Sequence, residues 1–305
     1  MNLMRMREDK AWSLGFQSPL AVRLAVRLAS ELGRLAKRDA DASKMLFGKR
    51  YYAHSVYLFQ QAVEKDAKAV GLLMGMIEPT NEDLAKEVGH HSLLGILVRM
   101  PELLERLPAM QQSIRQALDK PQVRDSGLSQ LLEPVLKPSP ITPESVRVAT
   151  RQVRSANKGL AWANTLNLSP DHPATKLVLN MLMVADQKCA EFDAAEKAIT
   201  KLHALFLKKA GFSIDLDFIS YALNISGRAI QELVPLAIVT MWHERETRYP
   251  PVSEKDKWDP WAYTKDKGLI KMFPEFQRHM KRLNVAVMRG AESVERDREK
   301  QNSNT

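Results

Sequence analysis

Between Arg50 and Ile77 the chain reads RYYAHSVYLFQQAVEKDAKAVGLLMGMI, and Tyr52, Val56, Phe59, Val63, Val70, Leu73 and Ile77 fall three, four or seven residues apart. That spacing puts all seven on one face of a helix. Gln60, Gln61, Glu64, Lys65, Asp66 and Lys68 are expected to fill the other side. Ala62, Ala67 and Ala69 are strong helix formers that also let a neighbouring helix come close. No proline or glycine breaks the run before Gly71 and Gly75. Such a segment has to be surrounded, and it is read as the central rod of a helical bundle.

The flanking sequence supplies the partners. Pro19 opens AVRLAVRLASELGRLAKRDA, with Val22, Leu24, Leu28, Leu32 and Leu35 as the expected apolar stripe. Arg23, Arg27, Arg34, Lys37 and Arg38 decorate its polar side, making it the densest basic helix in the chain. Asp39 or Asp41 is placed to cap the central helix. Pro101, Pro108 and Pro121 are expected to separate two or three further helices, and five prolines between Pro121 and Pro143 read as a connector. Helices then follow from Glu144 to about Thr165, Ala174 to Ala210, Leu216 to Leu223, Ser226 to Glu246 and Leu269 to Glu295, with a polar tail. No run of alternating apolar and polar residues bounded by turns stands out, so the fold class is all-α.

Charge adds a bias toward polyanions. The 45 Lys and Arg exceed the 36 Asp and Glu by nine, which favours salt-sensitive attraction to RNA or DNA. No apolar run reaches the length of a membrane helix, and no apolar core follows the basic first residues, so neither a membrane span nor a secretory signal is expected. The single Cys189 excludes an internal disulfide and reads as a small buried or half-buried side chain, which fits a cytoplasmic location.

Enzyme motifs are missing: there is no Walker loop, GxGxxG, HExxH or GxSxG, and no two of the seven histidines stand four apart. No metal and no cofactor are expected. Two places carry candidate chemistry. His90 and His91 follow the central helix, where the plainer role is to close a helix start. His243 opens HERETRYPP, in which Arg245 and Arg248 share a helical face and can fork onto phosphate or a carboxylate. The plainer role for Arg248 is a tie to a bundle carboxylate such as Glu64, with Tyr249 buried beside it. Trp242, Trp258, Trp261 and Tyr263 cluster around this second place and are read as packing under a long loop.

Two segments together carry a family resemblance. SVYLFQQAVEKDAKAVGLL, followed after a turn by GHHSLLGIL, resembles the A-EK--KA helix and following H-L--L of HEPN domains, antiparallel bundles named for higher eukaryotes and prokaryotes nucleotide-binding. RETRYPP and the later DPWAYTKDKGLIKMFPEFQRHMKRLNVAV resemble the RYP…P…YT segment and final helix of one branch of that family. The matching residues are Ala62, Glu64, Lys65, Lys68, Ala69, His91, Leu94, Arg248, Tyr249, Pro250, Pro260, Tyr263 and Thr264.

The resemblance implies a discontinuous bundle at 41–100 and 225–295 with a helical insertion at 101–224, and the residues themselves mark a basic helical arm at 1–40 and a disordered tail at 296–305. Many family members are metal-independent ribonucleases with an Arg-x4-6-His pair. That pair is absent here: Arg50 stands one residue too close to His54, and lysines (Lys49 and Lys86) hold the right spacing before His54 and His91. The resemblance therefore implies a nucleotide- or RNA-binding protein of a toxin–antitoxin or defence system, homodimeric and accompanied by a nucleotidyltransferase partner. Its binding residues would be Lys65, Lys68, Arg245, Arg248 and Tyr249. A ribonuclease using His91, His90 or His243 is the alternative, and a helical interaction scaffold is another.

Overall fold

The structure is a computed structural model that describes residues 19–77, 79, 92–119, 121–124, 128–133, 136, 141–156, 173–206, 210–240, 263 and 268–302. Among these residues there is no strand, and the fold is all-α. The helices are α1 (Pro19–Gly48), α2 (Tyr52–Leu73), α3 (Ser92–Leu118), α4 (Pro121–Arg124), α5 (Leu128–Leu132), α6 (Pro143–Ala156), α7 (Pro173–Phe206), α8 (Ala210–Ala222), α9 (Ile230–Thr240) and α10 (Gly268–Asn302). A π-helical segment, Leu223–Ala229, joins α8 to α9 without a break. No described helix is long and apolar enough to cross a membrane.

α1 and α2 form an antiparallel hairpin. Ser43 and Ser55 exchange side-chain-to-backbone hydrogen bonds of 2.8 Å near the turn. Farther along, Lys65 donates to Asp39 at 2.6 Å. The expected capping role of Asp39 or Asp41 is corrected: α1 runs through both to Gly48, and the residue preceding α2 is Tyr51, which makes no side-chain cap. The buried seam of α1 also differs from the expected leucine stripe. Ala21, Ala25, Val26, Ala29, Ser30, Gly33, Ala36 and Ser43 are the buried positions, while Leu20 and Leu35 are exposed and Leu24, Leu28, Leu32 and Leu46 lie half-buried. Small side chains bring the neighbouring helices close, and the leucines fill the margins.

α2 lies against α1, α3, α9 and α10. That position explains why its expected polar side is not a solvent face: Gln60, Glu64, Asp66 and Lys68 are all buried. Glu64 accepts from Lys68 at 2.7 Å and from Gln60 at 3.3 Å. Asp66 accepts from the Asn284 amide of α10, which also donates to the Gly33 carbonyl of α1 at 2.7 Å. At the far end of α2, Tyr221 of α8 donates its hydroxyl to the Leu73 carbonyl at 2.6 Å. This satisfies one of the acceptors a helix leaves open at its C-terminus, and burial pushes the pKa of the Tyr221 phenol far up.

Three further expectations are revised. Pro101 and Pro108 lie inside the single helix α3 and do not separate helices. Its buried residues Ile96, Leu97, Met100, Leu104, Ile114 and Ala117 continue across both prolines, so packing holds the rod where local hydrogen bonding is lost. The two helices expected at Leu216–Leu223 and from Ser226 are one rod running from Ala210 to Thr240. The polar end of α10, expected to be disordered from 296, stays helical to Asn302, with Arg296 donating to the buried Asp217 at 3.0 Å. All of this surrounds one contiguous apolar core to which α1, α2, α3, α5, α6, α7, α8, the π segment, α9 and α10 contribute.

Candidate functional site

Of the binding residues expected from sequence, the described ones are Lys65 and Lys68, and both have carboxylate partners. Lys65 pairs with Asp39, and Lys68, 9% exposed, pairs with Glu64 at 2.7 Å. His90, His91, His243, Arg245, Arg248 and Tyr249 lie outside the described residues. Tyr263, from the expected aromatic cluster, is buried.

One row of solvent-facing cations lies along α1. Arg23, Arg27, Arg34 and Arg38 follow one another at four, seven and four residues, which places them on one exposed face. Residues 19–50 hold eight Lys and Arg against three Asp and Glu, and so carry five of the nine excess positive charges of the chain. Arg34 pairs with Glu31 at 3.2 Å and Lys37 with Asp41 at 2.8 Å, all four side chains more than half exposed. Such pairs in water are worth about 0–1 kcal/mol and open readily. Arg23, Arg27, Arg38 and Lys44 have no ion-pair partner among the described residues. Over 30 residues the helix spans about 45 Å, long enough to follow several phosphates of an extended strand.

A second cationic place is a cavity of about 560 Å³ lined by Asp193, Glu196, Lys197, Thr200, Lys201 and Arg289, from α7 and α10. Its carboxylates are engaged by the π segment and α8. Asp193 accepts from Arg228 at 2.9 Å, and Glu196 accepts from Asn224 at 2.8 Å and Ser220 at 3.2 Å. π segments frequently mark functional positions in helices. Here the segment turns Asn224 and Arg228 toward α7, and Arg228 also donates to Cys189 Sγ at 3.5 Å. Of the two sequence readings of Cys189, buried or half-buried, the structure shows the second.

The third assembly lies where α7, α9 and α10 meet. His279 has no exposed surface, and its Nδ1 stands 2.5 Å from Glu232 Oε2 of α9, itself buried. A carboxylate there fixes Nδ1 as the donor. His279 Nε2 faces Glu275 Oε1 at 3.5 Å and Asp186 Oδ1 at 3.9 Å. Arg282 donates to Asp186 at 2.6 Å and lies 3.5 Å from Glu232, while Arg278 bridges Asp186 and Glu275. Burial alone would raise the Asp186 carboxyl, but the Arg282 hydrogen bond and the charges of His279, Arg282 and Arg278 take it below its ordinary value. Burial likewise works against the Arg282 charge, and the hydrogen bond to Asp186 and the nearby Glu232 outweigh it. The sequence search missed this cluster because it looked for histidine pairs. The local signal was a Glu275–His279 pair four apart on α10, and Asp186 is added by the fold alone.

A scan against protein-family models, a search of curated proteins and a search of solved structures each return no match to this chain.

Proposed function

We propose that this protein binds RNA, or another polymer of phosphates, along the exposed face of α1. The observation that carries the reading is the row Arg23, Arg27, Arg34 and Arg38, three of whose members have no acidic partner among the described residues. Arginine forks onto phosphate oxygens and stays charged at any physiological pH. A straight row on a long helix suits a polymer better than a compact ligand. The sequence resemblance to HEPN bundles points the same way, toward a nucleotide- or RNA-associated binding protein of a toxin–antitoxin or defence system. The contact face differs from the one that resemblance implies, because Lys65 and Lys68 are already paired within the bundle.

The test is a filter-binding titration with a short single-stranded RNA over a range of salt concentrations. Each phosphate contact on a single strand contributes about 0.7 to the slope of log affinity against log salt, so replacing Arg23, Arg27 and Arg38 by alanine is expected to reduce that slope by about 2. All three side chains are exposed, and circular dichroism of the variant should match the parent. Affinity that ignores salt, or a slope the triple variant leaves unchanged, refutes the proposal.

A further inference from the structure

We propose that Asp186, Glu275 and His279 form a binding site for one divalent transition-metal ion, which enters by displacing the guanidinium of Arg278. The three donor atoms come from two helices and lie within 4.8 Å of one another. The proposal is independent of RNA binding, since α1 contributes nothing to the site.

An acidic cluster by itself would not carry this. The deciding feature is His279, which is fully buried and whose Nε2 has no hydrogen-bond partner among the described residues. Its other nitrogen is held by Glu232 at 2.5 Å. Metal-ligating histidines are oriented in this way, with one ring nitrogen donating to a carboxylate and the other turned to the ion. Nε2 faces two carboxylates without a hydrogen bond to either, and a cation placed among the three donors would be held by all of them. A proton on Nε2 is the competing occupant, and the titration below separates the two.

Geometry and charge both permit the exchange. Donors bound to one ion at about 2.1 Å lie at most about 4.2 Å apart. His279 Nε2 already stands within that limit of both carboxylates, at 3.5 and 3.9 Å, and the side chains of Asp186 and Glu275, 33% and 37% exposed, have room to adjust. Three carboxylates (Asp186, Glu232 and Glu275) face two guanidiniums. Arg282 is mostly buried and remains, but the Arg278 side chain is half exposed and can swing its charge into water along its aliphatic stem. The set left behind carries an excess of two negative charges, which a divalent ion neutralises. One imidazole with two carboxylates suits manganese, iron or zinc better than the all-oxygen shells of calcium and magnesium.

The experiment is calorimetric titration of manganese(II) chloride into the full chain, with the free-ion paramagnetic resonance signal followed in parallel. One ion per chain is expected. Glu275→Gln, at the solvent edge of the site, should weaken binding at least about tenfold, and His279→Gln more. Arg278→Gln should tighten binding about tenfold, because the ion no longer has to expel a guanidinium; a purely structural ion-pair network predicts no such gain. Circular dichroism checks that each variant is folded, and Glu275→Gln with Arg278→Gln suffices if the buried variant is not. No saturable uptake up to millimolar ion, or uptake that both of these substitutions leave unchanged, overturns the proposal.

Discussion

Asp66 shows how far position outweighs residue type. It sits on the central helix among residues that read as a polar face, yet it is completely buried, with the Asn284 amide 3.1 and 3.2 Å from its two oxygens. Burial raises its pKa well above the ordinary carboxylate value, and the Asn284 hydrogen bond offsets only part of that. In the window between the ordinary and the raised value, the folded state holds the proton that the unfolded state has released. Stability is therefore expected to fall as pH rises through that window. Asp66→Asn keeps the shape and removes the titration. Urea midpoints measured on both sides of the window should decline with pH for the parent and stay level at this site for the variant, which should gain about 1 kcal/mol at the upper pH. Lys65, one position earlier, was legible as a cation but not as a committed one, because its partner Asp39 lies on another helix.

Among elements, the helix ends on either side of α2 make an instructive pair. Tyr51 N–H bonds to the Leu46 carbonyl at 3.0 Å and Arg50 N–H to Phe47 at 2.9 Å, closing α1 around Arg50 at φ 66°. At the other end Met76 N–H bonds to Gly71 at 2.8 Å and Gly75 N–H to Leu72 at 3.1 Å, around Gly75 at φ 67°. The same left-handed closure is met by glycine in one place and arginine in the other. Arg50→Gly is expected to raise stability by about 0.5–1 kcal/mol, the left-handed penalty of a side chain less the added freedom of the unfolded chain, read as a shift in denaturation midpoint. An unchanged or lowered midpoint would show that Arg50 holds contacts beyond its backbone. The π segment had no sequence signature that could be read locally. It brings Ile225 so near α10 that a side-chain carbon added at Gly290 would lie 2.4 Å from it, and only the pairing of the two elements reveals why glycine is there.

At the scale of the molecule, the segments read as bundle and as insertion share one core. Ile199 of α7, from the expected insertion, and Val63 of α2 belong to the same buried cluster. Ile199→Ala should therefore lower the main unfolding transition by about 2–5 kcal/mol. The measurement is thermal melting by circular dichroism, and a transition that splits, with one part unmoved, would show two separately folding cores. Charge is distributed less evenly than mass: more than half of the net positive charge lies within residues 19–50. A basic face on α1 and a part-buried acidic–arginine network between α7, α9 and α10 give the molecule two chemically unlike regions.

The sequence by itself determined the all-α class, the central position of α2, the long rods α7 and α10 and the basic density of α1. Each of these follows from periodicity or composition over a single stretch of chain. Tertiary structure alone decided which polar residues became buried, which cations kept a free face, and that Asp186, Glu232 and His279 from three helices meet at one point. Helical period tells a residue which side of its own cylinder it occupies. Whether that side meets water or another helix depends on segments far away in the chain, and no local pattern encodes it.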